Sequence, residues 1–357
     1  MSHDFTQAPN LNHLLFLTTD KGIIQHTIVD EYDVKHGYSV DDQARALIVI
    51  YNYEKLFGNS VLNHRTPKQL EQIYLNYLKN AQLENGSFHN YMSVDGRFLE
   101  NGKSQDSFGR VFWTLGYLTG IEKDRDLLKT SDNVISKMST YVDQVKYLRS
   151  WSYSLLGYYY LSKFHKDHEY YKVKLIATEK IIVNKFQKTA SWSWFEDVIT
   201  YNNGIIPYSL MLSSQISGSN RAEQVAFDSL EFLQEQSTWE GVPVPIGSNG
   251  WLKKGGKRAL FDQQAIDVAD MVLAYTQAFK LTKNIHYLDL ATWWFNWFHG
   301  NNVHKICMVD EDSGAVLDGI TKSGRNENRG AESIICYLLA YLSLSEVFLS
   351  EKIIDKE

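Results

Sequence analysis

The sequence predicts an all-α protein, and more narrowly an (α/α)6 toroid, in which six helical hairpins close into a ring. Three observations carry this prediction: helical periodicity dominates the 357 residues, strand-like alternation is scarce, and long polar connections alternate with short turns. Apolar residues recur at i, i+3 and i+4 in eleven segments, and a helix near 10–19 brings the number to twelve. The eleven segments lie near 42–57, 67–83, 106–119, 125–145, 150–165, 169–187, 202–216, 220–236, 263–282, 285–299 and 330–349.

The connections between these segments alternate in character. Those near 58–66, 120–124, 166–168, 217–219 and 283–284 are short, whereas those over 20–40, 85–105, 189–201, 241–261 and 300–329 are long and rich in polar and aromatic residues. The rich connections, and a brief turn before residue 150, lead into helices that begin at about 42, 106, 150, 202, 263 and 331. The repeating unit is therefore a helix pair. We expect these six helices to form a buried inner ring within one domain over residues 1–357.

Composition and charge exclude several classes of function. A net charge of −6 without basic runs argues against a nucleic-acid surface, and no stretch predicts a membrane span. The two cysteines lack metal-ligand spacing, and no phosphate loop, zinc helix or serine nucleophile elbow is present, so we predict no cofactor and no metal. No secretory leader pattern is seen, and the predicted location is the cytoplasm. Aromatic residues make up 13% of the chain, which suits either a large aromatic core or sugar binding.

In this architecture the rich connections meet at one mouth of the ring, where six helix N-termini point at a shared concave site. The first of these junctions carries two consecutive acids, Asp41 and Asp42, directly before an apolar helix. Asp41 is the expected N-cap of that helix, which leaves Asp42 as the functional acid. The neighbouring His36, Tyr38 and Arg45 are candidate substrate ligands.

The second junction contributes His89, Asp106 and Arg110. Asp106 and Arg110 are four residues apart on one predicted helix face, so a structural salt bridge is as good an interpretation as a role in the site. His89 is a candidate for contact with a sugar ring, and Arg110 for a hydroxyl or a substrate carboxylate.

The fourth junction is the densest, with Glu196 and Asp197 directly after an aromatic run that includes Trp194. Apolar neighbours keep a carboxylic acid protonated, and a protonated acid is what proton donation to a glycosidic oxygen requires. The alternative is an aromatic plug followed by an asparagine cap.

The fifth and sixth junctions complete the predicted mouth. Asp262 is the expected cap of the fifth inner helix, Gln263 and Gln264 suit hydroxyl recognition, and Trp251 offers a ring face. Glu332 follows in the sixth junction on an otherwise apolar helix, and a buried acid in such a place needs a partner.

Six stretches of the sequence together resemble a bacterial six-hairpin glycosidase-like family. They are Gly37–Arg45, Phe88–Asn90, Asp106–Arg110, Trp192–Glu196, Phe261–Gln264 and Gly330–Ser333. Members of this family occur alone or fused to glycosyltransferases, and often near mannoside phosphorylases. The resemblance implies a toroid and a carbohydrate-active role on manno-oligosaccharides, β-mannosides among them, with glycosyltransferase or phosphorylase partners in the same pathway. No catalytic pair is carried over from it.

We therefore predict a glycoside hydrolase that acts on short oligosaccharides by carboxylate acid/base catalysis with inversion of configuration. The predicted acids are Asp42, Asp106, Glu196, Asp197, Asp262 and Glu332, and the predicted substrate ligands are His36, Tyr38, Arg45, His89, Arg110, Trp194, Trp251, Gln263 and Gln264. Two alternatives stay open. One is a sugar epimerase or isomerase that moves protons through His36, His89 or His299, and the other is a non-catalytic glycan-binding partner of a glycosyltransferase.

Overall fold

Twelve α-helices run through residues 3–62, 64–99, 104–121 and 124–354, which are the residues that a computed structural model of the chain describes. They are α1 (Asn12–Leu17), α2 (Val40–Phe57), α3 (Pro67–Ala81), α4 (Gln105–Ile121), α5 (Arg125–Met138), α6 (Leu148–Phe164), α7 (His168–Lys185), α8 (Ile205–Ser217), α9 (Asn220–Gln236), α10 (Ala265–Thr282), α11 (Ile285–Phe295) and α12 (Ala331–Ile354).

The even-numbered helices form a closed inner ring. α2 packs on α4, α4 on α6, α6 on α8, α8 on α10 and α10 on α12, and α12 returns to α2. Each odd-numbered helix packs outside on its hairpin partner, and α1 fills the sixth outer position against α12. The predicted (α/α)6 toroid is confirmed.

The inner and outer helices differ in the size and polarity of their side chains. The outer helix α5 buries one face and exposes Lys129 and Lys137. The inner helices α4 and α6 instead meet through Gly116 and Gly157. A Cβ atom on Gly116 would lie 2.7 Å from the Gly157 carbonyl oxygen, and one on Gly157 would lie 2.5 Å from the Phe112 ring. Only glycine permits this approach of the two backbones.

Thirteen short strands tie the rich connections together in the described part of the chain. They are β1 (Thr27–Ile28), β2 (Glu31–Tyr32), β3 (Tyr38–Ser39), β4 (Tyr91–Met92), β5 (Gln187–Lys188), β6 (Ser193–Trp194), β7 (Val198–Ile199), β8 (Thr238–Trp239), β9 (Val242–Pro243), β10 (Leu252–Lys253), β11 (Gln263–Gln264), β12 (Gly319–Thr321) and β13 (Gly324–Asn326). All pairings are antiparallel, and three of them (β3 with β4, β7 with β10, β11 with β12) join different connections. The loops at the mouth are thus cross-linked.

Several predicted helix boundaries shift in the structure, among them the ends of α11 at Phe295 and of α12 at Ile354. α10 begins at Ala265 because Gln263 and Gln264 form β11 and pair with β12. α8 begins at Ile205, and α5 ends at Met138, after which a short 3-10 helix spans Val142–Gln144.

One helix in the described residues, α12, has the length and apolar composition of a membrane span, over Ala331–Glu351. Most of that stretch is buried inside the toroid. A helix that is apolar all round is what an inner position in the ring requires.

Candidate functional site at the mouth of the toroid

The N-terminal turns of the inner helices bring charged side chains together at one end of the ring. The contributing residues are Asp41, Asp42 and Arg45 on α2, Asp106 and Arg110 on α4, Arg149 on α6, Asn202 and Asn203 before α8, Asp267 and Asp270 on α10, and Glu332 on α12. Charged groups at such depth need partners, and the structure supplies them in a connected network.

The first turn of α2 is built differently from the prediction. Its N-cap is Ser39 rather than Asp41, because the Ser39 hydroxyl accepts from the Asp42 backbone N–H at 3.1 Å. The same hydroxyl donates to Asp42 Oδ2 at 2.5 Å. Asp41 is not used for capping, and its carboxylate accepts hydrogen bonds from Arg45 and Arg110.

Arg45 is buried, with 2% of its surface exposed, and three carboxylates surround it. Its Nη2 donates to Asp42 Oδ1 and Glu332 Oε2, both at 3.0 Å, and to Asp41 Oδ2 at 3.4 Å. The oxygens of Asp42 and Glu332 are therefore at most twice 3.0 Å, about 6 Å, apart. Arg45 was predicted to bind substrate, but its guanidinium is committed to holding these acids.

Arg110 continues the network into the ring. It pairs with Asp41, and its Nε donates to the Tyr153 hydroxyl at 2.9 Å. The predicted salt bridge between Arg110 and Asp106 on one helix face is therefore replaced by a bond between helices. Because Arg110 is 6% exposed, it too is a positioning group rather than the predicted substrate ligand.

A pocket of about 370 Å³ opens beside this network, within the size range of small-molecule sites. Its lining residues are Gln25, His26, Ser39, Asp41, Asp42, Asn90, Tyr91, Ser107, Gln264, Asp318, Asn326, Gly330, Glu332 and Ser333. Four acids and one histidine face a lining that is otherwise uncharged. Of the predicted residues, Asp42, Gln264 and Glu332 are brought together here.

Asp42 and Glu332 differ in protonation because their surroundings differ. Burial raises the pKa of Asp42 to about 7, against the opposing charge of Arg45. Glu332 keeps 40% of its side chain exposed. Desolvation also acts to raise the pKa of Glu332, but the guanidiniums of Arg45 and then Arg110 outweigh it and hold the pKa below its usual value. Near neutral pH, Asp42 thus carries an exchangeable proton while Glu332 is ionised.

The other half of the mouth holds two further predicted acids. Asp106 accepts hydrogen bonds from the hydroxyls of Ser150 and Tyr201. Glu196 pairs with Arg149 at 2.9 Å and keeps 35% of its side chain exposed. Neither acid lines the 370 Å³ pocket, so the predicted acid set is divided between two sides of the mouth.

Two buried acids on α10 lie beneath the mouth, and the sequence analysis did not select them. Burial raises the pKa of Asp267 to about 7, and Asn203 donates its amide to that carboxylate at 3.1 Å. Burial also raises the pKa of Asp270 well above its usual value, and the Asn202 amide donates to it in the orientation that satisfies both groups. The available signal was the presence of two acids in an otherwise apolar helix.

Two pocket residues, Asp318 and His26, were also missed, although both lie in rich connections. The Asp318 carboxylate accepts from the Gly330 backbone N–H at 2.7 Å and the Ser333 hydroxyl at 2.9 Å, and burial raises its pKa. Burial, and then the charge of His36, lower the pKa of His26. The two imidazole rings are 4.8 Å apart, and His36 itself is exposed.

Three predicted substrate ligands are enclosed by protein instead. Tyr38 is 3% exposed, and its hydroxyl bonds Thr19 Oγ1 at 2.9 Å. Trp194 is fully buried, so neither face of its ring can meet a sugar. Gln263 is 1% exposed, and its Oε1 accepts from the Trp297 indole at 2.8 Å. The prediction that these three side chains bind substrate is therefore corrected. Aromatic and amide side chains of the loops also pack into the core, and these three do so.

Three more predicted residues lie away from the pocket. Asp197 is 77% exposed and lies 3.5 Å from Lys254 on the surface. Asp262 precedes β11 with a φ of 60°, too far ahead of Ala265 to cap α10. His89 stacks on Phe98 with ring centroids 4.9 Å apart.

Trp251 is half-buried beside Tyr201, with ring centroids 6.3 Å apart, on the Glu196 side of the mouth. Among the described residues, no group of three His, Cys, Asp or Glu side chains is arranged to hold a metal ion.

No family model and no curated protein sequence matches this chain. Solved structures match it along nearly its whole length. A cellobiose 2-epimerase from Bacillus thermoamylovorans has a TM-score of 0.75 at 11% identity and covers 97% of each chain. A D-mannose isomerase has a TM-score of 0.73 at 11% identity, covering 97% of this chain and 98% of its own. An inactive α-1,6-mannanase variant of Salegentibacter sp., in complex with α-1,6-mannotetrose, has a TM-score of 0.66 at 12% identity, covering 97% and 100%.

At these identities the likeness establishes the fold, an (α/α)6 toroid shared with both hydrolases and epimerases. The fold does not select the reaction, because the same scaffold carries different chemistries.

Proposed function

We propose that the protein is a glycoside hydrolase that cleaves short oligosaccharides in the 370 Å³ pocket. One observation carries the proposal. Asp42 and Glu332 line the same pocket within about 6 Å, and their surroundings push their pKa values in opposite directions. A pair of carboxyl groups with one proton between them is what glycoside hydrolysis uses.

In the proposed reaction Asp42 donates its proton to the glycosidic oxygen as the bond from that oxygen to the anomeric carbon breaks. The ionised Glu332 attacks the anomeric carbon and forms a glycosyl ester. Water, deprotonated by Asp42, then cleaves that ester and restores both acids. The spacing supports this two-step course, because an upper limit of about 6 Å between the two oxygens that share Arg45 Nη2 includes the roughly 5–5.5 Å typical of retaining enzymes. The proposal therefore departs from the inversion expected from the sequence.

The proposed substrates are manno-oligosaccharides, β-mannosides among them. The resemblance of the sequence motifs supports them, and one similar fold holds α-1,6-mannotetrose. That mannanase was inactivated by replacing two consecutive aspartates, and two consecutive aspartates, Asp41 and Asp42, begin α2 here. A cytoplasmic location, and glycosyltransferase or phosphorylase partners in the pathway, belong to the same proposal.

The test is an incubation of the protein with a panel of manno- and gluco-oligosaccharides, with the products separated by chromatography. On a substrate that is cleaved, we expect Glu332→Gln and Asp42→Asn each to lower the rate at least 100-fold, the scale of a lost acid or base group.

The matched control is Asp197→Asn, which changes an acid that is 77% exposed and should leave the rate within twofold of the unchanged protein. Circular dichroism checks that each variant is folded. Full activity in Glu332→Gln would refute the proposal, and loss of activity in Asp197→Asn would return the site to the Trp194 side of the mouth.

A sugar epimerase is the second candidate, and His26 is the observation that favours it. This imidazole lines the pocket, and burial with the charge of His36 lowers its pKa, so it is neutral and able to accept a proton. The histidines proposed from the sequence are less suitable. His299 packs among Phe295 and Tyr337, and burial lowers its pKa to about 3.

Incubation in heavy water separates the two reactions. An epimerase that works through His26 incorporates deuterium at the carbon next to the carbonyl of an uncleaved sugar, and His26→Gln abolishes that incorporation. Cleavage without deuterium at a carbon position supports the hydrolase. Tight binding with neither product would instead support the glycan-binding alternative.

A further inference from the structure

A second cavity, of about 340 Å³, lies at the other end of the toroid axis. All six inner helices contribute to its wall. One residue from each, in the order α2 to α12, is Asn52, Trp113, Tyr160, Tyr208, Gln277 and Ser343. This cavity and the mouth pocket have no lining residue in common.

The two sites are separated by the length of the helices. Asp42 faces the mouth and Asn52 faces the second cavity, ten residues later on α2. At 1.5 Å per residue these two residues are about 15 Å apart along the helix axis, and Ile48, the cavity residue of α2 nearest the mouth, is about 9 Å from Asp42. A ligand in the second cavity is therefore out of reach of Asp42 and Glu332.

In the described part of the chain, one amide of the cavity wall makes no hydrogen bond to another protein group. Gln277 is 93% buried, and among the described residues its side-chain amide has no hydrogen-bond partner. An amide in this position can donate to and accept from the hydroxyls of a bound molecule.

Three lysines, Lys55, Lys163 and Lys280, and one acid, Glu346, line the cavity. Lys55 and Lys280 both pair with Glu346, at 2.5 Å each. Lys163 lies over the Tyr159 ring, 5.1 Å from its centroid. The C-terminal ends of all six inner helices also face this side, and their partial negative charges offset the two lysine charges that Glu346 does not neutralise. The remaining chemistry is that of aromatic rings, amides and hydroxyls around a neutral space.

We propose that this cavity is a second, non-catalytic binding site for a neutral mono- or disaccharide. The rings of Tyr160 and Tyr208 offer apolar faces to sugar C–H groups, and the amides of Asn52 and Gln277 offer donors and acceptors to its hydroxyls. The inference does not depend on the reaction at the mouth.

The test uses Glu332→Gln, in which turnover is removed, and calorimetric titration with methyl β-mannoside and cellobiose. We expect one of these neutral sugars to bind, and Gln277→Leu and the cavity-filling Ser343→Phe each to weaken that binding at least tenfold. Gln72→Leu is the matched control, because Gln72 is exposed on α3, and it should change nothing. A fluorescence change on binding that Trp113→Phe abolishes would locate the sugar independently.

Binding that survives both cavity variants would overturn the proposal, because the sugar would then be in the mouth. Binding of inorganic phosphate or glucose 6-phosphate in place of the neutral sugars would also overturn it. Neither outcome bears on the hydrolase, whose test measures cleavage by proteins with an intact second cavity.

Discussion

At the scale of single residues, Arg45 determines what the neighbouring acids can do. Its guanidinium holds Asp41, Asp42 and Glu332 around one nitrogen. Close acids cannot all ionise without such a cation, and the proton stays on Asp42, the most buried of the three. The ionised Glu332 is the group left accessible to a substrate.

The raised pKa of Asp42 predicts a stability that depends on pH. In the unfolded chain its pKa is near 3.8 and in the fold it is about 7, so the folded state binds the proton more tightly. Stability from this group is complete below about pH 4 and is lost as the pH rises through 7. We expect the unfolding free energy of Asp42→Asn, relative to that of the unchanged protein, to rise by about 3 kcal/mol from pH 5 to pH 8. Urea unfolding of both proteins at pH 5 and at pH 8 measures this change. A stability difference between the two proteins that is the same at both pH values would contradict the prediction.

The short distance between Asp42 and Glu332 predicts the stereochemistry of cleavage. If Glu332 attacks the anomeric carbon directly, the product first released has the configuration of the substrate. Proton NMR of the anomeric signals, recorded in the first minutes before mutarotation, identifies it. Release of the opposite anomer would mean that water attacks directly and that an acid farther from Asp42 activates it.

At the scale of elements, one hydroxyl group at the start of α2 both caps the helix and contacts an acid of the proposed site. The Ser39 hydroxyl accepts from the Asp42 backbone N–H and donates to the Asp42 carboxylate. The second bond favours the ionised form of that carboxylate. The cap of this one helix therefore also adjusts the proton donor.

Ser39→Ala should accordingly have two effects. The lost cap should destabilise the protein by about 1 kcal/mol, and the pKa of Asp42 should rise further, which moves the high-pH limb of the activity profile upward. Ser219→Ala is the matched control, because Ser219 caps the outer helix α9 through the Ala222 N–H. That variant should have a similar stability cost and an unchanged pH profile. An unchanged pH profile of activity in Ser39→Ala would show that the Ser39 hydroxyl caps α2 without affecting the pKa of Asp42.

At the scale of the whole molecule, the ring closes only if its inner helices approach closely. Gly157 on α6 faces the Phe112 backbone and ring on α4, and the backbone cannot move without widening the toroid. Both ends of the axis would be altered by such a change, since inner helices line the mouth pocket and the second cavity alike.

Gly157→Ala should therefore destabilise the protein by about 1–3 kcal/mol, the usual cost of overpacking. Gly120→Ala on α4 is the comparison, because the atoms nearest its added methyl are those of the Phe164 ring, which is 50% exposed and can turn away. Thermal and urea unfolding measure both. Equal effects in the two variants would show that helix propensity, rather than helix contact, determines the outcome.

The sequence by itself determined the helices, their pairing into six hairpins, and the end of the ring at which acids collect. These follow from local periodicity and from the alternation of connections, both of which are properties of neighbouring residues. It also selected Asp42, Gln264 and Glu332, which line one pocket in the structure. Trp194, Tyr38 and Gln263 were misplaced because a pattern of polar and aromatic residues does not tell which loop side chains turn into the core.

Only the tertiary structure decided which acids share a partner. Asp42 and Glu332 are 290 positions apart in the chain and meet at Arg45 because α12 closes the ring against α2. The N-cap of α2 is Ser39 instead of Asp41, and Arg110 on α4 pairs with Asp41 on α2. Asp318 and His26, which lie in distant loops, line the same pocket. Protonation depends on burial and on charges brought near by folding, and neither can be obtained from sequence spacing.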